Sequence, residues 1–159
     1  MLQRIQTVYM LAAAIAALML LLFPLATFLT PEATYELTAL GLTSLTPEVP
    51  FDEMGWALLA ALLVMLVLPL VCIFCYKRRK VQMRILIYTA IFDLLYYALF
   101  FWRCSEYGSM LSAQSAGQAD ALYNYVMLAM PALSVFCCVM AWRGVMFDEA
   151  LVKSLERLR

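Results

Sequence analysis

The sequence predicts an all-α membrane protein, a bundle of four transmembrane helices. Three observations predict it. The first is composition: 66% of the 159 residues are hydrophobic and 14% charged, against roughly 45–50% and about 25% in soluble domains. One core in so short a chain cannot hide that much apolar surface. The second is a set of four runs, 7–29, 55–76, 85–102 and 121–142, which carry no charge apart from Asp93. About 20 residues of helix cross a hydrocarbon layer of roughly 30 Å. The third is charge placement: Lys77, Arg78, Arg79, Lys80 and Arg84 crowd into the turn 77–84 between the second and third runs.

The first run, 7–29, follows Arg4. A secretory signal would have an apolar stretch of about 7–15 residues and then a small-residue cleavage site. This run is longer, and Pro24 to Phe28 makes a poor cleavage site, so a retained helix is expected. The first outer loop, 30–54, carries Glu32, Glu36, Glu48, Asp52 and Glu53 and no cation. Thr34 to Leu40 alternates and is rich in β-formers, which predicts a short strand or β-hairpin broken by Gly41 and Pro47. The loop reads as an ordered polar cap on the bundle.

In the second run Ala57 and Ala61 form a small-residue pair that permits close helix approach. Pro69 predicts a kink and leaves the carbonyl of Met65 without its usual donor. Cys72 and Cys75 have redox-motif spacing, but they sit in an apolar run with no second pair and no histidine. The third run holds Asp93 near its midpoint and ends at Trp102, a residue type that favours the membrane boundary. The second outer loop, 103–120, is rich in Ser, Gly, Gln and Ala and predicts a flexible segment or one with a helical turn. The fourth run has Pro131 at its centre and stops at Arg143. The tail, 143–159, predicts a short amphipathic helix from Phe147 with Leu151, Val152, Leu155 and Leu158 on one stripe. Such a helix lies on the membrane surface or docks beneath the bundle.

Four spans put both termini on one side. That side holds ten cations, and the other holds only Arg103. Positive residues are retained in the cytoplasm, so the N- and C-termini and the 77–84 turn are expected there. Zero net charge argues against a nucleic-acid partner. The chain has no histidine, the commonest general base and metal ligand. It also shows no paired acids and no metal-ligand spacing. No catalytic residue, cofactor or metal is therefore expected, and an enzyme is the least expected class. Of the five cysteines only Cys104 falls in an outer region, so no disulfide framework is expected.

Three stretches carry a family resemblance: Met1-Leu2-Gln3-Arg4-Ile5-Gln6-Thr7-Val8-Tyr9, Arg79-Lys80-Val81-Gln82-Met83-Arg84, and Asp148 to Ser154 followed by Arg157-Leu158-Arg159. Together they resemble an uncharacterised four-helix membrane family of Bacteroidetes, domain of unknown function 4293. The resemblance covers essentially the whole chain and implies a bacterial inner-membrane protein. It brings no activity or site with it, and Asp93 is not part of the pattern.

All three stretches fall on the predicted cytoplasmic side. Charged flanks need only be basic, yet these also spell Gln3, Gln6, Gln82, Asp148 and Glu149. The expectation is a polar cluster in which the glutamines hydrogen-bond and the two acids pair with Arg4, Arg79 or Arg84. The candidate cytoplasmic interaction or lipid-headgroup surface is Arg4, Lys77, Arg78, Arg79, Lys80, Gln82, Arg84, Asp148 and Glu149.

A second candidate site lies at mid-depth. A charged aspartate at a helix centre costs roughly 2.5–3.5 kcal/mol on insertion scales, so Asp93 is expected to face the bundle interior. Thr89, Tyr96 and Tyr97 share its face at helical spacing, and Ser134 lies at similar depth beside Pro131. The candidate intramembrane polar site is Asp93, Thr89, Tyr97 and Ser134. It serves either as interhelical glue or as a proton or cation site.

Two function classes follow. One is a small scaffold or accessory subunit whose partners are the lipid bilayer, anionic headgroups, other inner-membrane proteins or a second copy of itself. The other is an oligomeric transporter or channel component using Asp93. The topology has a direct test: an alkaline phosphatase fusion after Leu45 is expected to be active and one after Arg79 inactive. The reverse pattern overturns the orientation.

Overall fold

The computed structural model describes residues 2–46, 52–75, 78–114 and 119–157. Each apolar run forms a helix: α1 Leu2–Leu22, α2 Trp56–Phe74, α3 Arg79–Gln114 and α4 Tyr125–Arg157. All four are long and apolar enough to cross a membrane. The segments between them contribute β1 Ala26–Leu29, β2 Thr34–Leu37, β3 Gly41–Ser44, β4 Asp52–Met54 and β5 Asp120–Tyr123.

The helices differ from the expected spans in ways that local chemistry explains. The first span was expected to reach residue 29, but α1 stops at Leu22. Pro24 cannot donate a backbone hydrogen bond and disfavours helical geometry at Phe23. The chain then turns into β1. α2 matches its expected run closely and carries Pro69 in its interior.

α3 has 36 residues and absorbs both most of the basic turn and the first part of the second outer loop. Arg, Lys, Gln and Met are good helix formers, so nothing in Arg79–Arg84 stops the helix. Beyond Trp102 only Gly108 weakens it. The expected turn at 77–84 is therefore much shorter, and Tyr76 and Lys77 lie outside the described residues. The tail is likewise no separate helix. It continues α4 without a break, because the stretch Trp142 to Phe147 contains no proline and its lone Gly144 weakens the helix without ending it. At its other end the fourth run gives up residues 121–123 to β5.

The expected hairpin at 34–40 is part of a larger sheet. Its five strands run in the order β4-β3-β2-β1-β5, every neighbouring pair antiparallel. Gly41, expected to break the strand, opens β3 instead. Pro47, the other expected breaker, lies outside the described residues. The sheet covers the end of the bundle where α1 finishes and α2 and α4 begin. Asn124 fastens that corner: its side-chain amide donates to the Pro24 carbonyl at 3.2 Å, and its backbone N–H donates to the Leu25 carbonyl at 3.1 Å. Its side-chain oxygen also accepts from the Met127 N–H in the first turn of α4, as an N-cap does.

Helix α1 packs on α2 and α4, and α3 packs on the same two. Each helix buries one stripe. In α1 it is Gln6, Met10, Ala13, Ala17 and Leu20. In α2 it is Leu58, Leu62, Met65, Pro69 and Cys72. In α3 it begins Gln82, Leu86, Thr89, Asp93, Tyr96 and Phe100, and in α4 it runs Met127, Pro131, Ser134, Cys138, Ala141 and Val145. The steps alternate between four and three, the 3.5-residue repeat of helices packed as in coiled coils. An apolar cluster at the sheet end joins Phe28, Leu37 and Leu42 to Leu20, Leu62 and Phe100. A second, at the opposite end, joins Met10, Cys72, Leu86, Cys138 and Val145.

The sheet meets α2 through two glycines. Gly41 has φ 147°, which side-chain-bearing residues rarely adopt. A Cβ on Gly55 would stand 3.1 Å from the Gly41 Cα, so the two backbones touch. Gly41→Ala is therefore expected to destabilise the fold by about 1–3 kcal/mol, read as a lower unfolding midpoint in mild detergent. An unchanged midpoint would contradict this account of the junction.

Candidate functional site

The polar residues at the basic end come together across three helices. Gln6 is the first member of the α1 stripe and is buried. Its side-chain amide donates to the Asp148 carboxylate on α4 at 2.8 Å. Arg79, at the start of α3, donates to the backbone carbonyl of the same Asp148 at 3.0 Å. One turn further along α3, Gln82 is buried and its amide reaches the Cys72 carbonyl near the end of α2 at 3.5 Å. It also approaches the Met10 sulfur on α1 at 3.7 Å. The N-terminus, the start of α3 and the tail are thus one hydrogen-bonded unit.

The expected cluster differs in one respect. Arg79 takes the Asp148 backbone oxygen, while the Asp148 carboxylate takes the Gln6 amide. Glu149 is half-buried beside Asp148 and has an interaction of its own. The side chains of Gln3 and Arg4, and all of Lys77, lie outside the described residues. Arg78, Lys80 and Arg84 are exposed. Gln6, Gln82 and Asp148 therefore hold the helices together, and Arg78, Lys80 and Arg84 face outward.

Sequence reasoning missed Gly144. It lies one turn before Asp148, so the two share a face of α4. A Cβ there would come within 2.9 Å of the Gln6 Cγ and 3.1 Å of its amide nitrogen. The absent side chain is what lets Gln6 lie across α4 and reach Asp148. The available signal was a lone glycine inside a long apolar helix, where it costs helix stability relative to alanine.

At mid-depth the residues expected to form one polar site separate. Asp93 is fully buried on the α3 stripe, and Ser134 on α4 is its neighbour. The pair falls short of hydrogen-bond geometry, and both Asp93 oxygens and the Ser134 hydroxyl lack a partner among the described residues. Thr89 turns away, its hydroxyl donating to the Ile85 carbonyl of its own helix at 2.9 Å. Tyr96 belongs to the apolar cluster at the sheet end with Phe100 and Cys104.

Tyr97 has a different task. Its hydroxyl donates to the Leu128 carbonyl at 2.5 Å and accepts from the Ala132 N–H at 3.1 Å. Those two groups would bond each other in an uninterrupted helix. Tyr97 is inserted in the α4 ladder beside Pro131 and pins α3 to that break. The signal was available: a proline inside an apolar span leaves backbone groups that a nearby side chain must satisfy.

Among the described residues no group of three or more His, Cys, Asp or Glu is placed to hold a metal ion. The five cysteines are free.

A family profile matches residues 2–158, almost the entire chain. The chain belongs to the family described as a domain of unknown function (DUF4293). The stretches that join at the basic end lie inside that match. No curated protein matches the chain.

The clamp predicts a non-additive pair. Gly144→Ala and Gln6→Ala should each lower stability, the first by crowding Gln6 and the second by removing its bond to Asp148. Together they should cost less than the sum by about 0.5 kcal/mol or more, since alanine at position 6 leaves nothing for the new Cβ to strike. Strict additivity in a thermal-unfolding cycle would show that the two positions do not meet.

Proposed function

We propose that the protein is an integral protein of the bacterial inner membrane, with both termini in the cytoplasm. On this reading it is a small scaffold or accessory subunit and not an enzyme. The observation that carries the reading is an inside-out distribution. Gln6, Gln82, Thr89, Asp93 and Ser134 are buried, while Val8, Leu11, Ile15, Val67, Ile87, Leu94 and Phe136 are exposed. Water-soluble monomers rarely expose contiguous apolar surface beyond a few hundred Å², whereas lipid favours it. The orientation rests on the charge asymmetry of the loops.

The scaffold reading rests on the division of labour at the basic end. The inward polar residues fix the helices, which leaves Arg78, Lys80, Arg84 and Arg143 as an outward basic surface. That surface suits anionic lipid headgroups and the acidic faces of other inner-membrane proteins or of a second copy.

A second reading, an oligomeric transporter or channel component using Asp93, is favoured by one observation. A carboxyl group that served only as glue should bond across the interface, and Asp93 has no such partner among the described residues. Purification in mild detergent followed by mass spectrometry separates the two readings. The scaffold reading expects a stoichiometric partner and normal membrane tightness with Asp93→Asn. A lone homo-oligomer whose proton leak in vesicles disappears with Asp93→Asn supports the transport reading instead.

A further inference from the structure

The outer seam between α3 and α4 holds a groove of about 270 Å³. Ile87, Ala90 and Ile91 form its α3 wall, and Cys138, Val139 and Trp142 its α4 wall. Ala90 makes the hollow, since larger side chains stand on both sides of it. Trp142 also borders a second hollow of about 370 Å³ on α4, which it shares with Arg143, Met146 and Phe147. The two hollows therefore meet at Trp142, one purely apolar and the other rimmed by a cation.

The basic end supplies the rest. Arg84 precedes Ile87 by three residues, and Lys80 precedes Arg84 by four, so both continue the α3 wall toward that end. Arg84, Lys80 and Arg143 are exposed. The acids next beyond Trp142 on α4 are Asp148, whose carboxylate accepts from Gln6 on α1, and Glu149, engaged in an interaction of its own. Three exposed cations, Lys80, Arg84 and Arg143, stand against these two engaged acids. An apolar slot that opens between guanidinium groups matches a molecule with a hydrocarbon chain and a negative head.

We propose that this groove is a binding site for an anionic phospholipid. One acyl chain lies against Ala90 between α3 and α4, and the phosphate is held by Arg84 and Arg143 beside Trp142. The site rests on the membrane reading above and goes beyond it. General attraction of headgroups to a basic surface needs no groove and no particular helix pair, whereas this site commits to both.

Trp142 allows a direct test. The full chain carrying Trp56→Phe and Trp102→Phe has Trp142 as its one tryptophan. It is reconstituted in phosphatidylcholine vesicles containing a minor fraction of phosphatidylglycerol, with brominated chains on one lipid at a time. Brominated phosphatidylglycerol should quench Trp142 as if enriched about five-fold or more over its bulk fraction, the preference expected from one well-placed cation. Arg84→Gln with Arg143→Gln should return quenching to the bulk ratio. Ala90→Phe should reduce quenching by both lipids. If each lipid quenches in proportion to its bulk fraction, the specific site is overturned while the membrane reading stands. If neither lipid quenches, the membrane reading falls and the site with it. Native mass spectrometry of the unaltered protein from mixed micelles gives an independent measure: retention of phosphatidylglycerol over phosphatidylcholine supports the site, and equal retention overturns it.

Discussion

Gln6, Gln82, Thr89, Asp93 and Ser134 occupy stripe positions that a water-soluble bundle would fill with leucine or isoleucine. They are there because the outer faces of these helices are apolar almost throughout. A polar group on such a helix has two outlets, the interior seam or the helix end. The 3.5-residue stripe therefore does more than pack side chains. It decides which polar groups meet, and the rest of the structure follows from those meetings.

At the basic end the meetings are productive. Gln6, Gln82, Arg79 and Asp148 are each given a partner on another helix, so the four helices are held in register where short connections alone would leave them free to slide. Gly144 makes this possible by leaving out a side chain. Near mid-depth the outcome is mixed. Tyr97 repairs the helical ladder beside Pro131 and so couples α3 to α4. Asp93 and Ser134, one turn away on their respective helices, are brought together without being joined. A stabilised break and a carboxyl group with no hydrogen-bond partner among the described residues, both at one helix interface, are the features that keep a transport reading alive beside the scaffold one.

The opposite end is organised by different physics. Apolar helices can leave their loops ragged, but here the loops build a sheet, and its inner face extends the bundle core through Phe28, Leu37 and Leu42. The five strands come from separated parts of the chain, with β5 arriving after α3. This cap ties the start of α4 to the end of α1 through Asn124, so both ends of the α1–α4 pair are fastened.

What was legible in the residues follows from local chemistry. Composition, run length and charge placement specify four apolar helices and a basic end. The glutamines and acids near the termini also marked a polar cluster before any contact was known. Pro24 could have announced the early end of α1, and the good helix formers at 79–84 could have announced the extension of α3. The sheet was legible only as a hairpin, because strand pairing between residues 26–29 and 120–123 depends on where α3 delivers the chain. The mid-depth site was legible only in part, for a related reason. Helical spacing places Thr89, Asp93 and Tyr97 on one face, but it cannot say whether a hydroxyl turns to its own backbone, to a neighbouring helix or to the acid. Spacing along one helix is a property of the sequence itself. The choice of hydrogen-bond partner, and the groove between α3 and α4, exist only after the helices have packed, and the tertiary structure alone decides them.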